Sequence, residues 1–236
     1  MKEKGFIVWE GASPIDGAPI AFIMTMSSSN RKTGDMVQTW ILRQDVSPVE
    51  AIKSGADASV CGSCVHRGSA ERGRSCYVNV GQAPLSVWRT YKKGGYARFT
   101  RKDWGLLRGR KVRFGAYGDP GLVPLDRLTL LASLADGWTG YTHQWRDIDA
   151  GYAHYLMASA DTVEDRRAAR LSGYRAFYVV PKGSAKPDGA VLCMSVARGT
   201  SCLDCGACAG TREGAVTKAV DIFIEAHGSG SKYVTA

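Results

Sequence analysis

The sequence predicts an α/β protein built on a parallel sheet, and three observations carry that prediction. Through the second half, apolar runs rich in β-branched and aromatic residues alternate with helix-like segments. At the start, two apolar runs are split by a turn-rich stretch, the pattern of a hairpin. The composition, 44% hydrophobic and 22% charged over 236 residues, is that of a folded chain able to bury one sizeable core, so a single α/β domain over residues 1–236 is expected.

Each element has its own justification. FIVW and APIAFIMTM flank SPIDG and predict paired strands. SSSNRKTGD is a polar loop in which Arg31 and Lys32 suit an anion, although the GxxxxGK[ST] pattern of a phosphate loop is missing. VQTWILRQD predicts a strand. SPVEAIKSG predicts a short helix with Ser47 as cap, Pro48 at the first helical position, Glu50 three residues after the cap and Gly55 at the stop. KVRFGAYGD then predicts a strand, PLDRLTLLASLADG a helix ending at Gly137, and WTGYTHQW a strand. IDAGYAHY reads as a short helical link, YLMASAD as a strand, TVEDRRAARLSG as a helix capped by Thr162 with Asp165 three residues on, and YRAFYVVP as a strand. After the polar connector KGSAKPDG, AVLCMSVAR predicts a further strand and CLDCGACAGTREG a tight loop. AVDIFIEAHG predicts a last strand with His227 at its end, and HGSGSKYVTA a frayed tail.

Parallel sheets collect binding groups in the loops leaving the carboxyl ends of their strands. Here those loops carry Tyr117, Gly118, Asp119 and Pro120, then His143, Gln144 and Trp145, then Ser159, Ala160 and Asp161. Asp119 and His143 are the candidate catalytic groups. His143 and His227, both at strand ends, suit an acid, a base or a ligand, or a structural hydrogen bond.

Seven cysteines fall into two sets, which is metal-ligand spacing rather than a disulfide framework. Cys202, Cys205 and Cys208 follow each other at every third residue, with Cys193 as a fourth ligand; four thiolates close a zinc site or hold an iron-sulfur cluster. Cys61, Cys64 and Cys76 make a CxxC pair and a third thiol, with His66 the nearest fourth ligand. With only three thiolates, a four-iron cluster (4Fe-4S) keeps one iron open.

The formal charge of +9 is unevenly spread. Between Arg67 and Arg113 there are thirteen Lys and Arg against Glu71 and Asp103, a net +11, which leaves the remainder at about −2. Within that window Trp88 and Tyr91 lie among Arg89, Lys92, Lys93, Arg98, Arg101 and Lys102, a mixture able to grip phosphates and stack on bases, or to form a solvated face over core aromatics. No run approaches the length of a membrane span and no signal-peptide core precedes the first strand, so no membrane partner and a reducing cytoplasm are expected.

CGSCVHRGSAERGRSCYVNV, RFGAYGDP, GYTHQW and CLDCGAC, in that order, resemble a bacteriophage-encoded protein family with two cysteine clusters. That family is in turn distantly similar to radical S-adenosylmethionine enzymes. The resemblance covers most of the chain from Asn30 onward and brings no activity of the phage family with it. It implies a partial or complete βα barrel, TIM-like, and the cytoplasm of an infected host. It also implies a four-iron cluster on Cys61, Cys64 and Cys76, and cofactor binding at Gly115, Tyr117, Gly118 and Asp119. Two departures stand out: CxxC plus a distant cysteine replaces CxxxCxxC, and GAYGDP replaces a glycine-glycine-glutamate signature.

Two functions are therefore expected to compete. One is an iron-sulfur enzyme using S-adenosylmethionine on a nucleotide or nucleic acid. The other is a zinc-stabilised protein that binds nucleic acid or a host protein without turnover.

Overall fold

The computed structural model describes residues 4–68, 73–211, 220–228 and 230–234. Its ten strands form one sheet in the order β4-β1-β2-β3-β5-β6-β7-β8-β10-β9. The hairpin is present: β1 (Gly5–Ala12) and β2 (Pro19–Thr25) pair antiparallel, and β2 pairs antiparallel with β3 (Val37–Arg43). The short β4 (Ala97–Arg98) adds to β1 in parallel at one edge.

From β3 onward the sheet is parallel. It runs through β5 (Lys111–Tyr117), β6 (Gly137–Thr142), β7 (Met157–Ala160) and β8 (Ala176–Val180) to β10 (Asp221–Glu225), with β9 (Ala190–Leu192) outside it. The sheet is not closed, which corrects the expectation of a complete TIM-like barrel. β4 and β9 are the two ends of the strand order, and β2 runs against its neighbours, whereas a closed βα barrel needs a parallel pairing at every strand.

The helices follow the local signals. α1 (Pro48–Ser54) starts at Ser47, whose hydroxyl accepts from the Glu50 amide, and stops at Gly55 at φ 80°. α2 (Ala58–Cys61) carries the first cysteine, and α3 (Ala83–Lys92) lies in the basic segment. α4 (Leu125–Leu134) ends before Gly137, because the Asp136 amide is drawn to the Arg110 carbonyl and its carboxylate accepts from Gly109, starting β6 instead of another helical turn. α5 (Val163–Leu171) begins with the Thr162–Asp165 capping box.

AVLCMSVAR is only partly a strand. After β9, the Cys193 carbonyl accepts from Val196 and Ala197 and starts α6 (Met194–Arg198). Within the CLDC loop, the Ser201 hydroxyl caps one turn, α7 (Cys202–Cys205), which ends on Gly206 at φ 61°. The tail is not frayed as far as it is described. Ser231–Tyr233 form a 3-10 turn, and Gly73 and Gly230 leave room for the tail to cross the 73–75 segment, since a Cβ on Gly73 would lie 2.4 Å from the Tyr233 ring. The rest of that tail, and residues 212–219 of the cysteine loop and the last strand, lie outside the described residues.

Phe22, Ile41, Leu42, Phe114, Leu128 and Leu131 are fully buried in one main cluster, each contributing about 1.5–3 kcal/mol by leaving water. β2 and β3 are buried almost throughout, the mark of strands covered on both faces. Among the described residues no helix is long and apolar enough to cross a membrane.

Candidate metal centre

A cavity of about 250 Å³ runs along one face of the sheet to the carboxyl ends of β5 and β6. Both cysteine sets reach it, Cys61, Cys64 and Cys76 of the first and Cys193 and Cys202 of the second. The strand-end residues Gly115, Tyr117, Gly118, Asp119 and His143 line it as well. All seven cysteines are free thiols.

The first set is carried by α2 and the loop behind it. Gly62 sits at φ 54°, and a Cβ there would lie 2.3 Å from Gln144 Oε1, so only glycine lets the CxxC turn approach β6. Gln144 uses that proximity: its Nε2 donates to the Cys61 carbonyl at 3.2 Å and its Oε1 accepts from the Ser63 amide at 3.3 Å. On the far side of the gap, the Cys76 amide donates to the His66 carbonyl at 2.9 Å and draws the third thiol back to the first two. Burial pushes the Cys61 and Cys76 thiols up, and the neighbouring Cys64 adds to the rise in both.

Polar groups face this set. His143 Nε2 stands 3.9 Å from Cys64 Sγ and 3.3 Å from Asp161 Oδ2, and His66 Nε2 stands 2.9 Å from Asp161 Oδ1. His66, the fourth ligand expected for the set, therefore turns to Asp161, and His143 takes the place beside Cys64. Burial works against charge on His143, but Cys64 and then Asp161 raise its pKa well above the ordinary histidine value. Asp161 is held low against its own burial by His143 and then His66.

Asp119 is buried, and its carboxylate is taken up by the protein. Oδ1 accepts from the Gly121 amide at 2.9 Å, and Oδ2 from the His143 amide at 2.7 Å. It acts as a positioning residue for His143. Tyr117 Oη is buried without a hydrogen-bond partner, a polar group on the cavity wall that a ligand would satisfy.

The second set is ringed by cations. Cys202, Cys193 and Cys205 all reinforce the rise of the Cys208 thiol, which burial pushes up to about 12. Lys111 Nζ donates to the Leu203 carbonyl at 2.7 Å, and Arg175 Nη1 donates to the Ala207 and Gly210 carbonyls. Arg113 is 8% exposed and, among the described residues, faces no carboxylate; its Nη2 donates to Tyr77 Oη at 2.9 Å. Burial opposes its charge, and Tyr77, Tyr141, Cys202 and Cys208 favour it. A buried guanidinium needs a counter-charge, and Cys202 and Cys208, whose thiols burial pushes up, would supply one when a bound metal ionises them. A donor set of thiolates beside a buried cation fits a bound metal.

The basic segment lies elsewhere. None of Arg89, Lys92, Lys93, Arg98, Arg101 and Lys102 lines the cavity. Trp88 and Tyr91 are half-buried against the core, with Trp88 Nε1 donating to the Arg43 carbonyl and Tyr91 Oη to Glu10, which also pairs with Arg98.

In the sequence Arg113 stands only as the end of the basic window, and Asp161 and Gln144 only as strand-end residues. The signal for Arg113 was a lone cation between Val112 and Phe114 in an apolar strand, where alternation points it to the face opposite the core.

Fold and site together define an α/β protein in which five of the seven cysteines, drawn from both sets, line one cavity. A scan against protein-family models, a search of curated proteins and a search of solved structures each return no match to this chain.

Proposed function

We propose that the chain is an iron-sulfur enzyme acting on a small substrate bound between its two thiol sets. The observation that carries this reading is that cysteines of both sets line one cavity, which reaches Asp119 and His143 beside the first set, at the carboxyl ends of the strands where α/β sheets do their chemistry. Three thiolates and no fourth cysteine in the first set would leave one iron of a four-iron cluster open for a ligand, which is the feature this reading uses.

Cys61, Cys64 and Cys76 would hold a cluster with one open iron, and Cys193, Cys202, Cys205 and Cys208 a fully ligated one. When bound, such a cluster supplies one-electron chemistry at its open iron. The chain's own residues have separate tasks. Phe177, Val179 and Ile224 form an apolar wall that excludes water, Gln144 fixes the CxxC turn, and Tyr117 Oη offers a hydrogen bond to a ligand. S-adenosylmethionine, the cofactor that the resemblance implies, would lie along Gly115 to Asp119, which line the cavity beside the first set. About 250 Å³ is below the usual ligand-pocket range of about 300–1,000 Å³, so S-adenosylmethionine would have to extend out of the cavity and a polynucleotide would have to stay outside.

The test is to reduce the anaerobically purified chain with dithionite, add S-adenosylmethionine and assay for methionine and 5′-deoxyadenosine. Cleavage that is lost in Cys64→Ser is the expected result. No cleavage and no binding of S-adenosylmethionine by the wild-type chain would overturn the proposal of a radical enzyme.

A further inference from the structure

We propose that His66, His143 and Asp161 form a mononuclear site for a divalent cation of the iron(II) or manganese(II) kind, distinct from both thiol sets, with its free coordination positions facing the cavity. The inference stands on these three side chains and does not depend on what the cysteines hold.

The first ground is convergence. Nitrogen and oxygen atoms of the three residues all lie within 4.8 Å of one another. His66 Nε2 is 2.9 Å from Asp161 Oδ1, and His143 Nε2 is 3.3 Å from Asp161 Oδ2. Two ligands of one ion, each at about 2.1 Å, stand about 3.0 Å apart at a right angle and about 3.4 Å apart at the tetrahedral angle. The observed separations, one to each carboxylate oxygen, fit two imidazoles and a chelating carboxylate round one ion, and are also those of the ion pairs the side chains make without it.

The second ground is burial. His66 Nε2 and Asp161 Oδ1 are buried and 2.9 Å apart, so both donors are already withdrawn from water and held at one spot.

The third ground is the support around the ligands. His66 Nδ1 lies 2.8 Å from Ser75 Oγ; when Nδ1–H donates to that hydroxyl, Nε2 presents a lone pair, the usual outer contact of a metal-binding histidine. The His143 amide is held by Asp119, and the Asp161 amide by Asp165 of the α5 capping box. His143 and Asp161 thus leave the carboxyl ends of the adjacent strands β6 and β7, and His66 closes over them from the 3-10 turn Val65–Arg67.

Two imidazoles and one carboxylate with open positions are the ligand set of non-haem iron(II) sites. Cys64 Sγ stays outside the group, so the donors are nitrogen and oxygen, which favours iron(II) or manganese(II) over thiophilic ions. His66 and His143 line the cavity, so a ligand held there could bind the ion directly.

Manganese(II) is the probe, because it avoids thiolate and is counted by the paramagnetic resonance of the free ion. Titrating the anaerobically purified full-length chain should show one saturable equivalent. Asp161→Asn and His66→Gln should each weaken it at least about 100-fold, and Ser75→Ala about tenfold. Spin-echo spectra of the bound ion should show coupling to two imidazole nitrogens, a readout that needs no variant to fold. No saturable equivalent in the wild-type chain, retention in both ligand variants, or a bound ion without nitrogen coupling would overturn the proposal.

Discussion

The two thiol sets face the same cavity from opposite surroundings. Cys61, Cys64 and Cys76 are three sulfurs beside His143, with Asp161 and His66 behind it. Cys193, Cys202, Cys205 and Cys208 are four sulfurs with Arg113, Lys111 and Arg175 at hand. Four thiolates fill every position of a centre and gain from fixed cations, whereas three leave a position free and adjoin groups able to bind or exchange a ligand. The contrast is that of closed structural against open catalytic centres; under the proposed function the second set would hold the fold and the first would carry the chemistry.

The largest effect expected from this contrast is on stability. Cys205→Ser should remove the second centre and cost more than about 4 kcal/mol in chemical unfolding, in line with loss of a structural metal. Cys64→Ser should lose the first centre's metal with a much smaller shift in the unfolding midpoint. Equal shifts from the two would break the comparison.

Next comes Arg113→Met, which removes the buried cation but keeps bulk on β5. It is expected to cost about 3–5 kcal/mol and to lower metal content at the second set alone, read from metal analysis of the variant placed in a Cys64→Ser background. Unchanged metal content at the second set would contradict the role given to Arg113.

Gly62→Ala should cost about 1–3 kcal/mol, because the residue sits at positive φ and the new methyl meets Gln144. Here the metal lost should be that of the first set. Smallest of all is Thr162→Ala, which removes the α5 cap for about 1 kcal/mol and should leave both thiol centres loaded in the same metal analysis.

The legibility of this molecule in its sequence follows the range of the forces involved. Local signals read correctly: the Ser47 and Thr162 caps, the glycine stop at Gly55 and the alternation of strands and helices through the second half each depend on residues within one or two turns. Sheet closure did not, because whether the ends of the strand order meet is decided by pairings far apart in the chain, and β9 comes to lie outside β10 although it precedes it. Among site residues, the seven cysteines were legible from spacing. The turn of His66 toward Asp161 was not, since it spans ninety-five positions and depends on how β6 and β7 align. The aromatic residues Trp88 and Tyr91 read equally well as a stacking surface or as core; packing against β3 and Glu10 placed them with the core.

The measurement that bears most directly on the central claim is anaerobic purification followed by a visible spectrum and quantification of iron, sulfide and zinc per chain. Two iron-sulfur centres predict broad absorption at about 400 nm with iron and inorganic sulfide each at about four per centre. A colourless chain carrying only zinc would contradict it.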